Sequence, residues 1–157
     1  MGNHHDEIES RLRPGAWDTE GFLLHGESLT EQIARDLADC TRLGVTPQTI
    51  GLRLAELIGA AVESDVGRAV RIDDYDVDVI RQRGLMTCPW AADEFEACPV
   101  APAGWPTANR FRLRRGVDVI EGFELSAHLI GAHQFFGGVG TRFRIDPRRA
   151  AAILGPH

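Results

Sequence analysis

Four side chains in this sequence have the chemistry to hold a metal ion: Cys88, Cys98, His128 and His133. Zinc takes soft or borderline ligands in a tetrahedron, and two thiolates with two imidazoles are a common structural set. The His-x4-His spacing falls in the three-to-five residue range usual for such pairs. It also sets a geometric condition. Successive helical residues turn by about 100°, so His128 and His133 point about 140° apart on an ideal helix. Both reach one ion only if the helix tightens or loosens at its end, where distortion costs least. The same residues have blander uses. The thiols could pack as inert apolar groups, with the imidazoles satisfied at a helix surface. They could also pair as a disulfide, which a cytoplasmic chain disfavours.

The number of protein ligands decides what such a metal does. Four close the site, whereas three leave a position for water. Four good ligands are present, so a mainly structural zinc in a binding or interaction module is the first expectation. Whether the chain is an enzyme stays open. Glu124 precedes His128 by four residues and shares its helix face. It could orient a histidine, or act as general base toward a zinc-bound water. The alternative function is therefore a zinc-dependent hydrolase or lyase on a small anionic substrate. Asp93, Glu94 and Glu96, between the cysteines, are alternative ligands or bases. The His-Glu-x-x-His motif and the His-x-Glu with Pro-Cys-x-x-Cys motif are absent, which weakens protease and deaminase readings. There is no Gly-x-Ser-x-Gly elbow and no P-loop. The glycines at 137, 138 and 140 follow a helical pattern, the reverse of the order a dinucleotide fingerprint needs. They read as a helix stop that lets backbone pass close to Phe135 or Phe136.

A second group is cationic. Arg110, Arg112 and Arg114 alternate along one strand face, and Arg144 lies further on. Together they could bind a phosphate or carboxylate in bidentate fashion. As a second alternative, the stripe makes the chain a nucleic-acid binder. The simpler reading pairs it with Asp74, Asp76 and Asp78 on a neighbouring strand, because opposite charges across a sheet account for both patterns. All 17 basic residues are arginine, and the absence of lysine removes Schiff-base and Walker-type mechanisms. The net charge of −6 argues against bulk attraction to nucleic acid or acidic lipid.

These groups must be positioned by a chain of 157 residues, enough for one domain with a core. The first 21 residues read as a poorly ordered arm, and residues 22–157 as one α+β domain. Ser28 and Glu31 have capping-box spacing and open a helix that Gly44 ends. Thr46 and Pro47 open a second helix. The two, over about 28–63, form a helical hairpin, and Gly51, Ala55 and Gly59 allow a close approach by a partner helix. The α+β zinc-binding part runs over 68–157. After Ser64-Asp65-Val66-Gly67 the period changes to two, giving a short strand over 69–73 and a half-buried strand of alternating Tyr75, Val77 and Val79. Residues 86–106 are irregular and proline-rich. Asn109–Arg114 and Val117–Ile120 make a hairpin, Leu125–Phe136 a helix, Arg142–Ile145 a last strand, and Asp146 caps a short helix. The sheet is small and mostly antiparallel. No apolar run could span a bilayer, and the polar, acidic start is unlike a secretory signal. A cytoplasmic protein without a membrane partner is expected. Its partner would be a protein or a small anionic ligand, and pairing with a second copy stays open.

Two resemblances follow from these residues. The order of cysteines, hairpin and helix with two histidines, over residues 86–136, resembles the ββα Cys2His2 zinc finger. It departs in spacing: nine residues separate the cysteines and 29 separate Cys98 from His128. The apolar helix (Leu125, Leu129, Ile130, Phe135, Phe136) removes the basis for carrying over DNA reading. The Cys88-Pro89-Trp90 segment and the His128-Leu129-Ile130…His133 helix, with Gly140-Thr141 and Asp146-Pro147 beyond, are similar to a group of uncharacterised bacterial proteins. That likeness covers residues 88–154 and implies only that the Cys and His segments belong together. If zinc binds, it staples the long loop to the helix and replaces the packing that the loop lacks.

Overall fold

The computed structural model describes residues 4–17, 20–64, 68–94, 96–100, 107–142 and 144–155. Residues 65–67, where the period is expected to change, and all of 101–106, the end of the proline-rich stretch, lie outside that set.

The fold is α+β, as expected: five helices and a four-stranded antiparallel sheet. The elements in chain order are α1 (His4–Leu12), α2 (Leu29–Leu43), α3 (Pro47–Ser64), β1 (Val70–Ile72), β2 (Tyr75–Ile80), β3 (Arg110–Arg115), β4 (Asp118–Phe123), α4 (Glu124–His133) and α5 (Pro147–Leu154). The strands lie in the order β1-β2-β3-β4. Their inner face buries Tyr75, Val77, Val79, Phe111, Leu113 and Ile120. Helices α3 and α5 cover that face. The Tyr75 hydroxyl donates to the Ile153 carbonyl at 3.0 Å, which satisfies its polar end inside the core.

The outer face carries the charges. In register, Asp76 lies opposite Arg114 and Asp78 opposite Arg112. On the far side Arg112 lies opposite Glu121, with its Nε 3.3 Å from the carboxylate. The two charge stripes therefore meet across the sheet, as the simpler reading has it.

Caps fix the helix starts. Ser28 Oγ accepts the Glu31 N–H at 3.3 Å, while Glu31 lies by Arg35. Thr46 Oγ1 accepts the Thr49 N–H at 3.1 Å, and the Asp146 carboxylate accepts the Arg148 N–H at 3.3 Å.

Helix α3 packs mainly on α4, and α2 lies against α5. The close approach expected of the small residues occurs at Gly51. A Cβ there would sit 2.5 Å from the Gly131 Cα and 2.8 Å from the Ala127 carbonyl oxygen. The backbones of α3 and α4 thus touch, which fixes α4 between two apolar clusters. Ala127 and Ile130 face the sheet-side core. Leu125 and Leu129 face a second one with Ile8, Leu12, Met86, Cys88 and Cys98.

Three local expectations differ. The stretch read as an arm contains α1, with Ile8 and Leu12 fully buried; two apolar residues one helical turn apart suffice to anchor it. Helix α4 ends at His133, before the glycines, because Gln134 takes the left-handed conformation at φ 59°. The described residues of 142–145 form no strand. They instead follow Gly137 (φ 93°), where Arg144 Nη1 donates to the Gly137 carbonyl at 2.6 Å. Among the described residues, no helix is long and apolar enough to cross a membrane.

Candidate metal centre

The Cys88 segment is a tight turn inside the long β2–β3 connection. The Ala91 N–H donates to the Cys88 carbonyl at 2.9 Å. Pro89 suits such a turn because its ring presets φ. The backbone N–H groups of Trp90 and Ala91 point at the Cys88 sulfur and favour its thiolate. Arg11 of α1 holds the turn from outside, donating from Nη1 to the Pro89 carbonyl at 2.8 Å and to the Ala91 carbonyl at 3.1 Å.

Helix α4 brings the histidines. Its start is set by Ser126, whose Oγ accepts the Phe123 N–H at 3.1 Å. Both histidines lie in regular helix, without the distortion that their divergence of about 140° predicts, and α4 closes after them in a left-handed cap at Gln134. The Phe135 N–H reaches back to the Leu129 carbonyl at 3.0 Å, past the ordinary helical partner. Trp90 stacks on the His133 ring at 4.3 Å between centroids and 7° between planes. The two imidazoles meet edge to face at 5.0 Å.

All four expected ligands come together. Their ligand atoms lie within 4.8 Å of one another. His128 Nε2 and His133 Nε2 each lie 3.3 Å from Cys88 Sγ, and His133 Nε2 lies 3.5 Å from Cys98 Sγ. A tetrahedron with Zn–S of about 2.3 Å and Zn–N of about 2.0–2.1 Å has sulfur–nitrogen edges of about 3.5 Å. Three sulfur–nitrogen spacings come close to that edge, while the four atoms together span up to 4.8 Å.

Electrostatics point the same way. Burial pushes the Cys88 thiol well above its ordinary range, and the neighbouring Cys98 adds to the rise. Burial, with the adjacent His128, lowers His133 to about 4. Without a cation Cys88 is therefore a neutral thiol and His133 a neutral imidazole at pH 7. A divalent cation would supply the charge that two buried thiolates need, and the set would then be neutral overall. Cys88, Cys98 and His128 are 0 %, 3 % and 3 % exposed.

The other expected residues lie elsewhere. The Glu124 carboxylate accepts from Thr107 Oγ1 at 3.2 Å and Asn109 Nδ2 at 3.0 Å, and Glu124 is not part of the converging group. Asp93, Glu94 and Glu96 are exposed and also outside it. Arg144 forks onto Asp36 of α2 at 2.8 and 2.9 Å, with the Asp36 side chain buried and that of Arg144 14 % exposed. Gly138 and Gly140 admit the Glu27 carboxylate and Leu24 at close range, not the phenylalanines. Asp36 and Arg11 are the structural residues that the sequence pattern does not signal. Asp36 follows Gln32 on the buried face of α2, and Arg11 is one arginine among 17.

Fold and site together define an α+β protein with a buried Cys2His2 cluster suited to a metal ion. No protein-family model matches the chain, and no curated protein or solved structure is significantly similar to it. The finger resemblance is local. The β3–β4 hairpin and α4 follow in the expected order, but both cysteines precede the hairpin.

Proposed function

We propose that this chain is a zinc-stabilised interaction module in which Cys88, Cys98, His128 and His133 hold one structural zinc ion. The observation that carries this reading is the convergence of two sulfurs and two ring nitrogens to within 4.8 Å, with three sulfur–nitrogen spacings of 3.3–3.5 Å. A structural role is supported by the complete set of four ligands, by their burial, and by the engagement of Glu124 with Thr107 and Asn109. When bound, zinc would crosslink the 81–109 connection to α4 and neutralise the thiolates. Pro89 and the Trp90 and Ala91 N–H groups preset the Cys88 thiolate, and Trp90 holds the His133 ring plane.

Metal analysis of the protein purified without chelator, beside Cys88→Ser and His133→Ala, tests the proposal. We expect one zinc per native chain and X-ray absorption with two sulfurs near 2.3 Å and two nitrogens near about 2.0–2.1 Å. Both variants should lose zinc affinity by more than the roughly 10–100-fold typical of an outer-shell change. Native protein that stays near zero after incubation with zinc overturns the assignment. A coordinated water with only three protein ligands would instead favour the hydrolase or lyase alternative.

A further inference from the structure

We propose that the outer edge of β4 is a docking strand for an extended, acidic segment of a protein partner. This gives the interaction-module reading a surface and a partner chemistry, yet none of its residues touches the metal cluster.

Among the described residues, strand β4 ends the sheet and pairs only with β3. The two-residue loop Gly116–Val117 makes Arg115 and Asp118 the closing pair of the hairpin. Bonding alternates from that pair, so Asp118, Ile120 and Gly122 turn their amides toward β3. Val119 and Glu121 therefore turn their N–H and C=O groups outward. No backbone partner meets either residue there among the described residues. Protein edges are usually blunted by shortness, proline, a bulge or a cover. The opposite edge, β1, is three residues long, whereas β4 has six and no proline.

The β4 edge opens into a cavity of about 550 Å³. Val119 and Glu121 line one side, and Val139 and Thr141 the other. Val139 is 61 % exposed, an apolar contact without a visible use. Arg112, Arg142 and Arg149 also line it. The ion pairs Arg112–Glu121 (3.3 Å) and Arg142–Glu20 (3.1 Å) are solvent-exposed. Such pairs are weak, so incoming carboxylates can exchange into them. On a chain of net charge −6, this basic groove selects an acidic occupant. An added strand fits because backbone pairing supplies affinity and alternate side chains meet the arginines on the outer face.

The probe is a capped seven-residue peptide of alternating Glu and Val, titrated into the zinc-loaded full chain and followed by calorimetry and amide NMR. We expect saturable binding that weakens with salt and slows amide exchange at Val119 and Glu121. N-methylation of alternate peptide amides should weaken binding at least tenfold, as should Arg112→Gln with Arg149→Gln. Val119→Pro removes an outward N–H without touching the β3 ladder and should abolish binding; if that variant fails to fold, the N-methyl comparison carries the test. Absence of binding, equal binding of the N-methylated peptide, or complete displacement by inorganic phosphate overturns the proposal. The last result would mark a small-anion site. Zinc measured on the same sample separates the two readings: one ion per chain without peptide binding refutes this inference alone.

Discussion

Asp36 and Arg144 are a largely buried, bidentate pair that joins α2 to the segment after α4. Removing one member strands the other charge in the interior. Asp36→Ala should therefore cost about 3–5 kcal/mol in chemical unfolding. Joint replacement by apolar residues, Asp36→Leu with Arg144→Met, should recover most of the loss; a double variant as weak as the single would show that shape, not charge, holds the contact. This pair was the part of the residue-scale design least legible in the sequence. Asp36 reads as one more acid on a polar helix, and Arg144 as part of an anion-binding stripe. The metal ligands were legible because cysteine and histidine carry their chemistry in their type. The angle between His128 and His133 predicted a distorted helix end, yet both stay in regular helix and their rings still meet at 5.0 Å.

Element packing hinges on one glycine. A Cβ at Gly51 would enter the backbone of α4, while one at Gly59 meets nothing within 4 Å. Gly51→Ala should destabilise the protein by about 1–3 kcal/mol and, by pushing the helix that bears His128, lower zinc affinity as well. Gly59→Ala should stabilise it by up to about 1 kcal/mol through helix propensity. Thermal melts with a zinc competition assay check both, and equal effects would refute the close crossing. At the sheet margin, the Arg115 guanidinium lies 2.6 Å from Asp74 and holds that carboxylate below its ordinary value. A depressed folded value stabilises above the unfolded one, about 3.9, and the gain is lost as pH falls through the folded value. The small loss in Arg115→Gln should thus be present at pH 7 and vanish as pH falls below the depressed Asp74 value; a loss that persists in acid would assign it to the Arg115 contact with the Ile153 carbonyl, at 3.2 Å. The cross-strand register could be read from the alternating charges. Helix α1 could not, since its two apolar residues find their partners among residues distant in the chain.

The whole molecule has two cores that share α4. One is built on the sheet, and the other gathers α1, the cysteine loop and one side of α4. Removal of metal should release them unequally. Amides of α1 and of 86–98 should exchange faster by orders of magnitude, while β2 and β3 stay protected. Hydrogen exchange with mass detection, with and without chelator, measures this directly, and uniform loss of protection would mean a single cooperative unit.

The placement of Arg11 against the Pro89–Ala91 turn has a consequence for biosynthesis. Helix α1 is synthesised before the turn that Arg11 grips some 80 positions later, so that contact forms only once the turn has emerged. Until then Ile8 and Leu12 have Phe22, Leu23 and Leu29 to pack on, and lack the cover that Met86, Cys88 and Cys98 add.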